Sequence, residues 1–154
     1  PESYQLDVGV GIPLFVLGPY TTPSACGMDG ITNYDSNLDL VRKYVSRGHV
    51  LFEGLIVGKL WGRMGALLEE LSPVHGAVLL YLSTPLEECI DRVVERRRRA
   101  GDVRPFNEKN LRAVYDQVRS NLISVRKKQI AGIRIEEVAS LDAPDRALRI
   151  LREG

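Results

Sequence analysis

A run of arginines at residues 95–104 (ERRRRAGDVR) is the densest group of side chains that could do chemistry. The plain structural interpretation is a solvated helix end, where arginine is favoured by the helix dipole. Phosphoryl transfer spreads negative charge over several oxygens, so arginines on a mobile loop could also clamp that charge and expel water. We therefore predict a lid over about residues 95–106 in which Arg97 and Arg98 are catalytic.

A carboxylate stands at the end of a short apolar segment, residues 49–54 (HVLFEG). An acid at the end of a buried parallel strand lies at the carboxyl edge of the sheet, where α/β proteins bind ligands. Glu53 is therefore a candidate Mg²⁺ ligand and catalytic residue, binding directly or through water. The alternative is an acid that caps the next helix.

Residues 17–30 (LGPYTTPSACGMDG) combine hydroxyls, glycines and one acid in a long loop, which suits a polar ligand. The alternative is an ordinary surface loop. Asp29 is the candidate that orients or deprotonates an acceptor hydroxyl. Trp61 and Arg63, on the helix after Glu53, are candidate walls of the same site, although Trp61 could equally be a core residue. The candidate acceptor-binding residues are Tyr20, Thr21, Cys26, Gly27, Trp61 and Arg63.

Hydrophobic periodicity predicts strands alternating with helices, and hence an α/β domain with a parallel sheet flanked by helices. The predicted strands are residues 12–17, 49–54, 76–82 and 133–138. The predicted helices are residues 37–47, 60–71, 83–98, 107–130 and 144–152, with loops at 20–36 and 100–105.

Composition indicates a single soluble domain of 154 residues with a net charge of +1. No apolar run approaches the roughly 20 residues that span a bilayer, and no leader pattern opens the sequence, so a cytoplasmic protein without a membrane partner is expected. Two cysteines, Cys26 and Cys89, indicate no disulfide framework. A homodimer is left open.

The order of these motifs resembles the P-loop nucleoside and nucleotide kinases, including thymidylate-kinase-like and adenylate-kinase-like proteins. Residues 78–99 (VLLYLSTPLEECIDRVVERRRR) look like their strand, Thr-Pro turn and helix leading into an arginine-rich lid. Residues 52–54 resemble their second acidic strand end. Residues 133–151 resemble their last strand and helix, whose connecting loop touches adenine. The resemblance spans nearly the whole chain and rests more on motif order than on any single motif.

The resemblance implies a three-layer sandwich, ATP and Mg²⁺ as cofactors, and transfer of the γ-phosphoryl group to a nucleoside or nucleotide. Arg96, Arg99 and Arg104 would then contact the nucleotide. One alternative acceptor is a hydroxymethylated pyrimidine within phage DNA, although a net charge of +1 gives a DNA track little support. A different alternative is a degenerate, non-catalytic nucleotide-binding subunit.

The sequence departs from that family at the phosphate-binding loop, G-x-x-x-x-G-K-[ST]. Nothing of this kind precedes residue 12, and residues 54–60 (GLIVGKL) have one residue too few between the glycines. We therefore expect the first strand and its loop to be missing from this stretch. That strand belongs between the strands at 49–54 and 76–82, so direct pairing of those two strands would contradict the expectation.

Overall fold

The computed structural model describes residues 3–20, 27–31, 33–59 and 61–154. Within these ranges the strands are β1 (Ser3–Leu6), β2 (Leu14–Leu17), β3 (His49–Phe52), β4 (Ala77–Leu82) and β5 (Ile133–Val138). The α-helices are α1 (Tyr34–Val45), α2 (Leu55–Lys59), α3 (Trp61–His75), α4 (Leu86–Arg99), α5 (Glu108–Lys128) and α6 (Ala143–Glu153). A short 3₁₀ helix spans Gly27–Gly30. The predicted mixed α/β character is confirmed.

The strands form two sheets. In the first, β2 pairs in parallel with β3 and antiparallel with β1, in the order β1-β2-β3. In the second, β4 pairs in parallel with β5. The structure therefore differs from the predicted single parallel sheet: the described residues form two sheets, each with one parallel pair, and β1 adds an antiparallel strand to the first.

The main core lies between the first sheet and helices α1 and α3. Its buried apolar side chains are Phe15, Leu17, Met28, Ile31, Leu38, Leu40, Val41, Met64 and Leu67. Around the second sheet the burial is sparser: α4 contributes one buried residue, Ile90, and α6 contributes none. Ion pairs instead tie α6 to β5, from Arg146 to Glu136 and from Glu153 to Arg134.

Both β3 and β4 have one edge without a strand partner in the described part of the chain. The direct pairing of β3 with β4 that would contradict a missing central strand is not found there. Strands that are sandwiched in a parallel sheet are normally buried on both faces. Here Leu51 on β3 and Val78 and Leu82 on β4 remain 39%, 37% and 47% exposed. The two half-sheets therefore carry apolar surface beside open hydrogen-bonding edges.

Near the N-terminus one strand was not predicted, and the starts of two other elements differ from the sequence prediction. Strand β1 was missed because SYQL contains no apolar run, and its pairing with β2 is a tertiary effect. The strand predicted from residue 12 begins at Leu14, after Pro13, which has no N–H to donate. Helix α1 begins at Tyr34 rather than residue 37, because the side chain of Asn33 accepts the Asp35 N–H and caps it.

Boundaries also differ later in the chain. Helix α3 continues through Pro73 to His75, beyond the predicted end at residue 71, since the φ of proline is compatible with a helix. The helix predicted from residue 83 begins at Leu86, and Pro85 occupies its N-cap position without a side-chain hydrogen bond. The Ser83 hydroxyl donates to the Val138 carbonyl at 3.2 Å, which joins the ends of β4 and β5.

Candidate active site

Asp29 and Glu53 lie side by side beyond the carboxyl end of β3. The Met28 N–H donates to the Glu53 carbonyl oxygen at 2.9 Å, which ties the 3₁₀ helix to the end of the strand. The Leu55 N–H donates to Asp29 Oδ2 at 2.8 Å, so Asp29 also holds the start of α2. The sequence predicted both carboxylates as catalytic, and the structure brings these two together.

Two glycines make room for this approach. A Cβ on Gly27 would lie 2.4 Å from Glu53 Oε1, and a Cβ on Gly54 would lie 2.6 Å from Asp29 Oδ1. Gly27 also has a φ of +62°, which side chains rarely adopt. Gly27, predicted as a substrate-binding residue, therefore lies against the carboxylates.

Gly27 contacts Gly18 and Pro19, the residues that follow β2. The Gly27 N–H donates to the Pro19 carbonyl at 3.1 Å. A Cβ on Gly18, which has a φ of +111°, would lie 2.1 Å from the Gly27 carbonyl oxygen. The end of β2 and the start of the 3₁₀ helix are thus in direct contact.

The pKa of the Glu53 carboxyl is shifted by burial and by a neighbouring like charge. Although part of the side chain is exposed, desolvation of its carboxylate raises the pKa of Glu53, and the negative charge of Asp29 raises it further. A cation bound between the two carboxylates would relieve both effects. The described residues contain no cluster of three or more His, Cys, Asp or Glu side chains placed to hold a metal. Two carboxylates are nevertheless enough for Mg²⁺ when phosphate oxygens complete its coordination.

Asn37 supports the turn that carries Asp29, and sequence reasoning missed it. Its side chain is 1% exposed, and Nδ2–H donates to the Met28 carbonyl at 3.2 Å. Its Oδ1 is buried without a hydrogen-bond partner. The available signal was an amide on the same helix face as Leu40 and Val41, where a buried polar group needs a structural reason.

The predicted acceptor-side residues have separate contacts. Tyr20 stacks edge-on against Tyr4, with ring centroids 6.0 Å apart. Trp61 is half-buried and packs against the core, as the alternative interpretation held. Arg63 forms an ion pair with Asp35. Thr21 and Cys26 lie outside the described residues.

The guanidinium of Arg63 also lies over the Tyr34 ring, 5.0 Å from its centroid. Burial raises the pKa of Tyr34, and the nearby positive charge of Arg63 partly offsets this rise. These contacts give Arg63 a defined position on α3.

The arginines of the lid are bound to acids of their own segment. Arg98 and Arg99 both donate to Glu95, at 2.8 and 2.7 Å. Arg104 donates through Nε to Asp102 at 2.8 Å. The side chain and the backbone N–H of Arg104 hold the pKa of Asp102 well below its usual range.

Arg97 is the most enclosed of these arginines that form ion pairs. Its Nε lies 3.3 Å from Asp102, and the side chain is 22% exposed. Its guanidinium also donates to the Arg104 carbonyl and lies over the Phe106 ring, 5.8 Å from the centroid. The hydrogen bonds, ion pairs and ring contacts described for Arg97, Arg98, Arg99 and Arg104 join them to partners within residues 95–106.

Residues 54–59, the described part of the GLIVGKL segment, do not form a shortened phosphate-binding loop. Leu55–Lys59 is helix α2, and a Cβ on Gly58 would lie 3.1 Å from the Val118 side chain on α5. Asn121 Nδ2–H donates to the Gly58 carbonyl at 2.6 Å. The N–H at its start, that of Leu55, is bonded to Asp29 Oδ2, and Gly58 faces α5, so this segment does not present the open glycine-rich loop that cradles phosphates.

None of the helices in the described ranges is both long and apolar enough to cross a bilayer.

Comparison with known proteins places the chain in a family. No family model and no solved structure matches it. The chain is 35% identical over 157 residues to a protein of Pseudomonas phage PaMx11 named 5-hmdU DNA kinase, and the alignment covers 100% of this chain and 78% of that protein. The chain therefore belongs to the 5-hmdU DNA kinase family and is a kinase.

Proposed function

We propose that this kinase transfers the γ-phosphoryl group of ATP to the hydroxyl of a 5-hydroxymethylated deoxyuridine in DNA. The observation that carries this proposal is the 35% identity, along the whole chain, to a protein named 5-hmdU DNA kinase. Of the acceptors that the sequence raised, this identity favours the modified base in phage DNA over a free nucleoside or nucleotide. It also favours an enzyme over a non-catalytic binding subunit.

Asp29 is the proposed base. The acceptor oxygen forms a bond to the γ-phosphorus, the bond from that phosphorus to the bridging oxygen breaks, and ADP leaves with the electron pair. The proton of the acceptor hydroxyl passes to the Asp29 carboxylate. The Leu55 N–H and the Asn37-supported turn hold this carboxylate in place. The acceptor would lie among Tyr20, Trp61, Arg63 and the segment from Thr21 through Cys26 to Gly27.

Glu53 is the proposed Mg²⁺ ligand, with Asp29 beside it. The raised pKa of Glu53, caused by desolvation and by the charge of Asp29, supports a site that favours a cation. When bound, Mg²⁺ would neutralise charge on the phosphate oxygens. Glu53 itself would supply one negatively charged oxygen ligand at the carboxyl edge of β3.

The arginines of the lid are proposed to close over the phosphates, with Arg97 and Arg98 at the transferring group and Arg96, Arg99 and Arg104 at the nucleotide. The side chains of Arg98, Arg99 and Arg104 are 72%, 75% and 83% exposed. Ion pairs this exposed are weak, so phosphate oxygens could replace Glu95 and Asp102 as their partners. Reaching Asp29 and Glu53 would require this lid to move.

The phosphate-binding element is proposed to enter between β3 and β4. The open edges of both strands and the exposed apolar side chains beside them support an additional parallel strand there. A loop after that strand would open at the same sheet edge as Glu53, where α/β proteins bind phosphates. This arrangement would make the domain a P-loop kinase-type three-layer sandwich.

The test is transfer of labelled γ-phosphate from ATP to an oligonucleotide that contains one 5-hydroxymethyldeoxyuridine. We expect label in this DNA and none in the same oligonucleotide with thymidine. Asp29→Asn should lower kcat by roughly 10²-fold or more, the usual contribution of a general base, while ATP affinity is unchanged. Asparagine keeps an oxygen that can accept the Leu55 N–H, so the fold is preserved.

The matched control is Asp39→Asn, since the Asp39 side chain is 77% exposed on α1 and bonds Arg42. Label found in free nucleotide but not in DNA would replace the proposed acceptor with the nucleotide. Equal loss of ATP binding and turnover in Asp29→Asn would assign Asp29 to nucleotide binding or to the fold. An Asp39→Asn variant as inactive as Asp29→Asn would show that loss of an acid, not the Asp29 site, causes the effect.

A further inference from the structure

The tip of the lid loop carries an apolar side chain that is fully presented to solvent. Val103 is 95% exposed, the highest value among the large apolar side chains of the described residues. Single exposed apolar residues are common on protein surfaces, so exposure alone assigns no role. The loop around Val103, however, is built in an unusual way.

Residues 100–104 are held in one shape by hydrogen bonds. The backbone N–H groups of Ala100, Gly101 and Asp102 donate to carbonyls of the last turn of α4, at 3.1, 3.1 and 3.0 Å. The Asp102 carboxylate accepts the Arg104 N–H at 3.1 Å and lies 3.3 Å from Arg97 Nε. Asp102 is 18% exposed, so an acid is turned inward while the valine next to it is turned outward. The exposure of Val103 is therefore fixed by the loop.

Positive charge surrounds this apolar tip. Residues 95–104 contain five arginines and two acids. Beside the tip lies a shallow cleft of about 310 Å³ whose lining includes Arg97, Arg98, Arg104 and Phe106. A membrane surface or a protein would also accept an exposed valine, but an excess of arginine favours a polyanion. Nucleic-acid backbones are bound by such arginines, and apolar side chains are the groups that enter base stacks.

We propose that residues 101–104 form a DNA-contacting tip, in which Val103 enters the base stack next to the modified nucleotide. The inference rests on the proposed function, in which the acceptor lies within DNA. A base inside a duplex must leave the stack before an enzyme can reach its 5-substituent. An apolar wedge then fills the vacated space when the lid closes. The lid that closes over the ATP phosphates also lies beside the DNA strand, because the acceptor hydroxyl must be next to the γ-phosphate. Asp102 acts as a positioning residue because it fixes the direction in which Val103 points.

The experiment compares two substrates of the full-length protein: one 5-hydroxymethyldeoxyuridine in single-stranded DNA, and the same strand annealed to its complement. Val103→Ser should lower kcat/KM on the duplex by about 10-fold or more, the scale of a lost stacking contact, and change it less than about 2-fold on the single strand. Val103→Leu should retain duplex activity. The matched control Val74→Ser removes a valine that is 79% exposed on α3 and should change neither value.

A second measurement tests the insertion of Val103 into the base stack and does not require catalysis. The fluorescence of 2-aminopurine placed beside the modified base should rise when wild-type protein binds the duplex, because the probe becomes unstacked, and should rise less with Val103→Ser. Equal loss of activity on both substrates, or no loss on the duplex, would overturn the inference. Wild-type protein that phosphorylates neither substrate would instead overturn the proposed function, while the fluorescence change would still report on the tip.

Discussion

At the scale of single residues, Glu53 gives the molecule a testable pH dependence. Desolvation, and then the charge of Asp29, raise the pKa of Glu53 above its ordinary value of 4.5. If the ionised form binds Mg²⁺, activity should fall as pH decreases through this raised pKa. Excess Mg²⁺ competes with the proton, so it should move this acid limb to lower pH. The measurement is kcat/KM against pH at low and high Mg²⁺.

Glu53→Gln removes the charge and keeps the size, so it provides the control. Its activity should be low at low Mg²⁺ and recover partly at high Mg²⁺, without an acid limb that Mg²⁺ can move. The free energy of unfolding should not decrease near neutral pH, since the substitution removes repulsion with Asp29. Wild-type Mg²⁺ dependence in this variant would show that Glu53 does not bind the metal.

The sequence predicted Asp29 and Glu53 separately, from a loop composition and from the end of a strand. Their closeness could not be predicted, because it depends on contacts between residues that are distant in sequence. Gly27 lies against the Glu53 carboxylate, and Gly54 lies against the Asp29 carboxylate. Asn37 was missed for a similar reason. Its partner, the Met28 carbonyl, becomes a neighbour only when the 3₁₀ helix packs on α1.

At the scale of elements, the lid separates two kinds of arginine. Arg97 is enclosed and joins α4 to the loop through Asp102 and Phe106, whereas Arg98 extends into solvent with a side chain that is 72% exposed. We expect Arg98→Ala to lower kcat roughly 10²-fold, the loss found for a transition-state charge contact, while stability changes by less than about 0.5 kcal/mol. Arg97→Ala should lower kcat and also loosen the loop.

Hydrogen exchange at the Ala100, Gly101 and Asp102 amides distinguishes these effects, because each of them is bonded to a carbonyl of α4. Exchange should accelerate in Arg97→Ala and remain at the wild-type rate in Arg98→Ala. Equal acceleration in both variants would show that Arg98 is as structural as Arg97. Wild-type turnover in both would remove the lid from the mechanism.

Helix and strand types could be read from the sequence where the hydrophobic pattern was strong, as for β4, α5 and β5. Element ends depended on single capping groups, such as Asn33 for α1, which a pattern of apolar residues does not report. The short helix α2 was missed because five residues are too few to show a helical period. Its position is set by Asp29 at its start and by α5 along its side.

At the scale of the whole molecule, the proposed strand between β3 and β4 would bury apolar side chains that are now exposed. Leu51 on β3 is 39% exposed, and Leu6 on β1 is 46% exposed. If a strand fills the slot in the full-length protein, Leu51 becomes a core residue. Leu51→Ser should then lower its free energy of unfolding by about 2–5 kcal/mol, and the matched change Leu6→Ser by less than about 1 kcal/mol. Chemical denaturation of both variants provides the measurement.

Similar small losses for Leu51→Ser and Leu6→Ser would show that the edge of β3 stays open to water. The proposed entry of the phosphate-binding element between β3 and β4 would then be wrong. The expected missing strand implied that β3 and β4 would not pair with each other, and they do not pair in the described residues. The sparse burial around the second sheet was not predicted. Each strand pattern was apolar enough for a central position, and pattern alone does not state which neighbours are present.

The contact between Gly18 and Gly27 has a consequence for how this family can diversify. Because the Gly27 N–H donates to the Pro19 carbonyl, the two ends of the segment between these residues are held together. Lengthening a segment whose ends are already joined adds only about 0.6 kcal/mol for each doubling of its length. Insertions and deletions there could therefore accumulate while Asp29 and Glu53 keep their places. If this segment contacts the acceptor as proposed, its length and composition would offer one route by which acceptor preference evolves while the residues that carry out the phosphoryl transfer stay unchanged.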